Sequence, residues 1–172
     1  MSSFPTLVVR NGKASDIDSI MRIVGKVVED MRLAGNFQWT SSYPTEDTFL
    51  QDIAGQSLHV GLVDKNLVSF ITLDRNQPTQ YEPISWSVES PAMVLHRFAV
   101  APEVRRLRIA HRMEEFACEH TRKQGLAYLR TDTNSANTVM QSFLTNRHYQ
   151  FAGRLYFPKC DNPFFCYDKV LA

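Results

Sequence analysis

The chain is predicted to be a single α/β (α+β) domain, a mixed sheet with helices on its faces. Three observations predict it. Apolar residues recur at the helical period in some segments and in short β-rich runs in others. No repeat, low-complexity tract or linker divides residues 1–172. The composition, 44% hydrophobic and 22% charged, is that of a globular protein and excludes a disordered chain, a collagen-like fibre or a disulfide-dense miniprotein. At this length folding buries roughly 70% of the surface the unfolded chain exposes, enough for one sizeable core.

The elements follow in order. Leu7 to Val9 is a short apolar strand. Behind the capping residue Ser15, residues Ile17, Ile20, Met21, Val24, Val27, Val28 and Met31 repeat at the helical period and predict the first helix. A shorter helix starts around Pro44 and Thr45, carries Phe49, Leu50 and Ile53 inward and stops at Gly55. Leu58 to Val63 and Leu67 to Leu73 flank Asp64, Lys65 and Asn66, whose tolerance of left-handed backbone predicts a hairpin. Asp74 to Ala92 holds Pro78, Pro83 and Pro91 beside Tyr81 and Trp86, which predicts a long, partly ordered loop of the kind that carries function. Met93 to Val100 is the next strand, and from about Leu107 a helix carries Ile109, Met113, Phe116 and Ala117 on one face to a stop at Gly125. A strand at Ala127 to Asp132, a helix at Ala136 to Asn146 and strands at Tyr149 to Leu155 and Phe164 to Leu171 complete the chain.

Charge narrows the partners. Nineteen basic residues against eighteen acidic leave a net charge of +1, so no general field suits nucleic acid or a membrane surface, and an anion site must be local. Met1 to Leu7 lacks a basic region followed by an apolar stretch, and no window reaches the ~18 apolar residues that span a bilayer, so a cytoplasmic protein is expected. Cys118, Cys160 and Cys166 match neither a zinc ribbon nor a redox pair and are expected as reduced thiols. His59, His96, His111, His120 and His148 show no pair at ligand spacing, so no metal is expected.

The segment from Phe98 to Arg112 is the most informative. An apolar strand turns through Pro102 into a helix start that holds Arg105, Arg106, Arg108 and Arg112, four arginines within eight positions. Free amides and the positive end of the helix dipole bind phosphate, and arginine forks add charge and direction. The same arginines suit a solvated helix face, although cations at a helix start oppose the dipole unless an anion neutralises them.

With these residues the chain resembles the GNAT (Gcn5-related) N-acetyltransferases. Their acetyl-CoA motif runs from a strand through Val-x-Pro to Arg or Gln, two residues, Gly, one residue, and Gly or Ala. Val100, Pro102, Arg105 and Ala110 match it, while Arg108 stands where the motif has glycine. Asp132-Thr-Asn-Ser-Ala-Asn137 leading into Met140 resembles the second motif, and Asn36 to Trp39 (Asn-x-Gln-Trp), Tyr43-Pro44 and Leu95-His96-Arg97 are similar to a bacterial branch. The resemblance, which covers nearly the whole chain, implies a mostly antiparallel central sheet flanked by helices and acetyl-CoA as co-substrate. It implies that Phe98, Ala99 and Val100 bond the pantetheine amides, that backbone from Arg105 and Arg106 through Arg108, Ile109, Ala110 and His111 cradles the pyrophosphate, and that Asn137 meets the pantetheine arm.

Acyl transfer needs a neutral amine, a stabilised oxyanion and often a general acid. By the resemblance Asp132 lies where many members carry a carboxylate, and an aspartate there also serves to order the turn into the next helix. His96 is a second candidate base or a hydrogen-bonded strand residue. Seven residues after Asn137, where relatives often carry tyrosine, stands Leu144, and Tyr149 and Tyr156 serve only if their strand turns them inward. Trp39, Tyr43 and Trp86, with Phe37 and Tyr81, are expected either to wall an acceptor site or to anchor the core. Glu82 and Glu89 are ammonium ligands or solvated charges, and Cys118 is expected in the core. The expected function is acetyl transfer from acetyl-CoA to a primary amine of a small molecule or peptide by direct attack in a ternary complex. A non-catalytic acyl-CoA-binding or regulatory domain is the alternative. Phe164, Phe165 and Tyr167 are compatible with strand addition in a homodimer.

Overall fold

The computed structural model describes residues 4–158 and 160–171. Its strands are β1 (Val8–Asn11), β2 (Leu58–Val63), β3 (Asn66–Asp74), β4 (Met93–Val100), β5 (Tyr128–Asn134), β6 (Gln150–Leu155) and β7 (Phe164–Val170). Its helices are α1 (Ile17–Leu33), α2 (Glu46–Ala54), α3 (Ile109–Lys123) and α4 (Thr138–Asn146). The strands form one sheet in the order β1-β2-β3-β4-β5-β7-β6, in which β4 and β5 run parallel and every other neighbouring pair is antiparallel. The expected mixed, mostly antiparallel sheet is therefore present.

Alternation along the strands divides the core. Leu58, Val60, Phe70 and Ala99 pack with Ile20, Val24 and Val28 of α1 and Phe49 of α2 on one face. Ile71, Leu73, Leu95 and Leu129 pack with Ile109, Met113 and Ala117 of α3 and Leu144 of α4 on the other. Gly61 lets α3 lie close, since a Cβ there would stand 2.8 Å from Met113 Sδ and 2.3 Å from Ser69 Oγ. The β2–β3 reversal places Asp64 and Lys65 at φ 48° and 65°, the left-handed conformations expected of a tight hairpin turn.

Several local expectations are corrected. Ser15 does not cap α1. A 3-10 turn over Ala14–Asp16 precedes the helix, and Asp16 accepts the Lys13 amide at 2.8 Å and the Arg10 guanidinium at 2.7 and 2.9 Å. Leu50 faces solvent at 41% exposure, because the buried face of α2 is built from Phe49 and Asp52. The α3 helix begins two residues later than expected, at Ile109, because Pro102–Val104 form a 3-10 turn and Arg106 and Arg108 take positive φ.

The stretch after β3 is firmly anchored. Buried Asp168 accepts the Ser87 amide and hydroxyl at 2.7 Å each and the Tyr128 hydroxyl at 2.6 Å. The Trp86 indole donates to the Tyr81 carbonyl at 3.1 Å, and the Arg130 guanidinium lies 4.4 Å over the Trp86 ring. Glu114 is fully buried and satisfied by Arg147 and Lys169, each at 2.8 Å, and by the Cys118 thiol at 3.0 Å. Burial, with Glu114 adjacent, pushes that thiol up to about 12, so Cys118 is a core residue as expected.

His59 is 2% exposed, and neither ring nitrogen has a hydrogen-bond partner among the described residues. It packs against Phe116 and His120 with ring centroids at 5.0 and 4.6 Å. Burial, and secondarily the charge of His120, pushes its imidazole down from 6.5 to about 4. The unfolded chain therefore binds this proton first. Its contribution is complete above pH 6.5 and is lost as pH falls toward 4, to a limit of about 3 kcal/mol. Chemical denaturation at pH 7.5 and pH 4.5 is expected to show a smaller acid loss for His59→Leu than for the parent chain.

Candidate functional site

The site is built where the sheet comes apart. Pairing of β4 with β5 runs from Met93↔Leu129 to Leu95↔Thr131 and no further. At that point β4 carries a bulge against β3, with Thr72 opposite His96 but Phe70 opposite Ala99, and Arg97 takes φ 41°. Two cavities open there. A cleft of about 750 Å3 lies between α1 and α4 and is lined by Phe98, Ala99, Val100, Arg105, Ala110 and Asn137. A larger cavity of about 1010 Å3 is lined by Trp39, Tyr43, Asp52, His96, Arg97 and Asp132. Met31, Phe98, Asn137 and Met140 belong to both and form the waist between them.

The smaller cleft ends at the start of α3. No side chain caps this helix, and the amides of Arg106, Arg108, Ile109, Ala110 and His111 have no acceptor among the described residues. Such a row of unpaired N–H groups at a helix start fits a phosphate or pyrophosphate. Arg108 stands at φ 59°, so the glycine-type backbone of the motif is kept without the glycine. The arginine side chains serve elsewhere. Arg105 pairs with Asp30 at 2.5 Å, Arg112 donates to the Pro5 and Leu7 carbonyls at 2.6 and 3.3 Å, and Arg108 lies 5.6 Å over the Phe4 ring. Arg106 is exposed. Backbone amides, more than guanidinium forks, are what this helix start has to offer an anion. The Ile109 side chain is buried in the core, and the His111 ring packs edge-on to Phe143 at 5.5 Å. Asn137 caps α4, its Oδ1 accepting the Met140 amide at 3.2 Å, and the residue still lines the waist.

The larger cavity holds three polar assemblies. Asp132 accepts a hydrogen bond from the Tyr81 hydroxyl at 2.6 Å. Burial raises the Asp132 carboxyl above the ordinary aspartate range, and the Tyr81 bond offsets this only in part. Burial, reinforced by Asp132, holds the Tyr81 phenol well above its usual value, so it remains a donor at neutral pH. His96 Nε2 lies 3.1 Å from Asp74 Oδ1 and 3.2 Å from the Asn76 carbonyl, two acceptors that assign the proton to Nε2 in the neutral ring. Burial pushes Asp74 up, but His96 and the Asn76 amide outweigh it and hold the carboxyl below its usual range. Finally, Asp52 takes Arg97 Nε and Nη2 at 2.7 Å each and the Thr72 hydroxyl at 2.8 Å, while Arg97 Nη1 donates to the Tyr43 hydroxyl at 3.3 Å.

The expected acceptor residues are thus partly brought together. Tyr43 is on the cavity rim, and Trp39, 3% exposed, stacks on Phe70 in the core at 6.2 Å while also contributing to the wall. Trp86 is not among the lining residues and serves the Tyr81–Arg130 anchor instead. Glu82 and Glu89 are exposed and do not line the cavity. No phenol takes the place left by Leu144, which is buried. Tyr149 is also buried, and Tyr156 is exposed outside the cavity. Two participants had been missed, the Tyr81 contact to Asp132 and the Asp52–Arg97 pair. The signal for the first is an aromatic residue among the prolines of a long loop, and the second left none.

The same architecture occurs in solved acetyltransferases. A GNAT-family acetyltransferase from Streptococcus agalactiae is 22% identical with a TM-score of 0.87 over 99% of this chain and 98% of that one, a likeness of fold. A putative acetyltransferase from Staphylococcus aureus is 26% identical with a TM-score of 0.75, over 96% and 99% of the two chains. The PaiA N-acetyltransferase of Thermoplasma acidophilum, solved in complex with coenzyme A, is 16% identical with a TM-score of 0.72 over 96% and 99%. Among curated proteins none matches the sequence. The profile of the acetyltransferase (GNAT) family matches residues 26–149, and the chain belongs to that family.

The left-handed Arg108 gives a direct test of the backbone conformation at the start of α3. Arg108→Gly is expected to raise stability by about 0.5–1 kcal/mol, the αL penalty of a Cβ less the entropy cost of glycine, whereas Arg108→Ala is not. Thermal melts of the two variants check this.

Proposed function

We propose that the protein transfers an acetyl group from acetyl-CoA to a primary amine of a small molecule or peptide, by direct attack within a ternary complex. The observation that carries this reading is the pair of cavities meeting at a common waist, one ending at unpaired helix-start amides and the other holding Asp132. Phe98, Ala99 and Val100 would meet the pantetheine, the amides of Arg106 and of Arg108 to His111 the pyrophosphate, and Asn137 the arm near the thioester. The thioester supplies the electrophilic carbonyl.

The chain's own residues would prepare the amine. An ammonium entering the larger cavity meets Asp132, whose raised proton affinity suits it to take a proton, while Tyr81 holds the carboxylate in place. His96, with Nε2 committed to Asp74 and Asn76, offers Nδ1 as a second acceptor. The aromatic surfaces of Trp39, Tyr43 and Phe157 favour an apolar or cationic body. No phenol near the waist is available as the acid, so solvent water would protonate the departing thiolate. Among the described residues no helix is long and apolar enough to cross a membrane, in keeping with action in the cytoplasm. A non-catalytic acyl-CoA-binding domain is the second reading, favoured by the buried Leu144 at the place of the usual tyrosine.

Calorimetric titration with acetyl-CoA and thiol release across an amine panel separate these readings. Saturable binding with turnover is expected, and binding without turnover on any amine would leave the second. Asp132→Asn is expected to lower kcat about 100-fold with little change in acetyl-CoA affinity. Because burial raises Asp132, the wild-type rate should fall on the acid side at a pH above the ordinary aspartate range, and that limb should disappear in Asp132→Asn.

A further inference from the structure

The Asn36–Trp39 segment crosses between the two cavities, and its geometry assigns it a task. Asn36 is 2% exposed. Its amide donates to the Met31 carbonyl at 2.9 Å, and its Oδ1 accepts the Gln38 amide at 3.0 Å, so the turn leaving α1 is fixed. Asn36 lines the smaller cleft and Gln38 the larger cavity, so the chain passes from one chamber to the other over this turn.

Gln38 reaches across the split in the sheet. Its Oε1 accepts from the Asn134 amide at 3.0 Å and from the Thr133 hydroxyl at 3.3 Å. Both partners lie on β5 just beyond its last pair with β4, and both are buried. An N–H can be accepted only by the carbonyl oxygen of a carboxamide, so the orientation of the group is decided. The Nε2 amine has no acceptor among the described residues, yet it is not one of the sealed, unpartnered atoms of the interior. Two N–H bonds of a residue that lines the larger cavity are therefore left without a partner among the described residues.

We propose that the Gln38 carboxamide is a catalytic hydrogen-bond donor to the acyl carbonyl oxygen of the thioester. The inference rests on the acyltransferase reading and adds a residue to it. The amine lone pair forms the new C–N bond as the carbonyl π pair moves onto oxygen, where Nε2–H meets the growing negative charge. Collapse restores the C=O bond and breaks the C–S bond, whose electron pair leaves on the sulfur of coenzyme A. Asp132, having released to solvent the proton taken from the ammonium, takes the one lost from nitrogen, and water returns one to the thiolate, so the products are the N-acyl amine, the free thiol and one proton given up to solvent. A donor already fixed by β5 needs no reorganisation as charge develops.

Gln38→Glu and Gln38→Met test this by different routes. Glutamate keeps the oxygens that hold Asn134 and Thr133 but brings no N–H donor, whereas methionine removes both functions without adding charge. In each variant kcat is expected to fall about 100-fold or more, with the acetyl-CoA dissociation constant within about threefold of the parent. Gln38→Glu is expected to keep the parental melting temperature. Carbonyl-13C acetyl-CoA bound to the parent protein is expected to show a C=O stretch below its solution value, returning toward that value in Gln38→Met. A folded variant that keeps kcat within threefold, or an unshifted carbonyl band in the parent complex, would overturn the assignment. Absence of acetyl-CoA binding by the parent chain would remove the acyltransferase reading, and this one with it.

Discussion

The structure depends on a sheet that cannot stay closed. β4 and β5 pair as parallel neighbours up to Leu95 and Thr131, and each keeps its ladder on the other side, β4 with β3 and β5 with β7. Past that point the two halves diverge, leaving main-chain donors and acceptors that must find other partners. The Thr131 hydroxyl donates to the Leu95 carbonyl at 2.9 Å, and Gln38 Oε1 accepts from the Asn134 amide. The remaining surface of β4 lines the clefts. A break in hydrogen bonding that would destabilise an ordinary sheet becomes here the place where two cavities meet.

Charge is arranged around that break. Asp52 and Arg97 neutralise one another in a bidentate pair, and Asp74 is coupled to His96. Asp132 has neither a guanidinium nor an imidazole as its partner but the Tyr81 phenol, and its proton affinity is raised by burial. A cavity containing three carboxylates thus presents one that is free to exchange a proton. Removing Arg97 or Asp52 would leave a buried charge without its counter-ion, so this pair supports the floor of the cavity and needs no part in the chemistry.

Much of the fold was legible in the sequence because it rests on local pattern. The periodicities of α1 and α3, the Asp64-Lys65-Asn66 turn and the Gly125 stop each act over a few residues. The strand, turn and helix start from Met93 to Lys123 were legible too, since they are contiguous in the chain. What escaped depends on distance along the chain. Tyr81 meets Asp132 across 51 positions, and Arg97 meets Asp52 across 45. The arginines of the helix start looked like anion ligands because their partners Asp30, Pro5 and Leu7 lie far away in sequence. Trp86 looked like an acceptor wall because nothing nearby announces Arg130.

The anchoring of the long loop by Asp168 carries a consequence for how related enzymes diverge. Asp74, Asn76, Gln77 and Pro78 form one bank of the larger cavity, and the residues behind them are tied to β5 and β7 through Trp86, Arg130 and Ser87. Evolution can alter that bank only by disturbing the interior. On the opposite bank Phe37 and Tyr43 are 63% and 42% exposed, although Tyr43 is bonded by Arg97 and Gln38 is tied to β5. The exposed ring of Phe37 is the place on that bank where a substitution disturbs the frame least, so the mouth of the cavity can be reshaped there while the Tyr43 and Gln38 contacts stay in place.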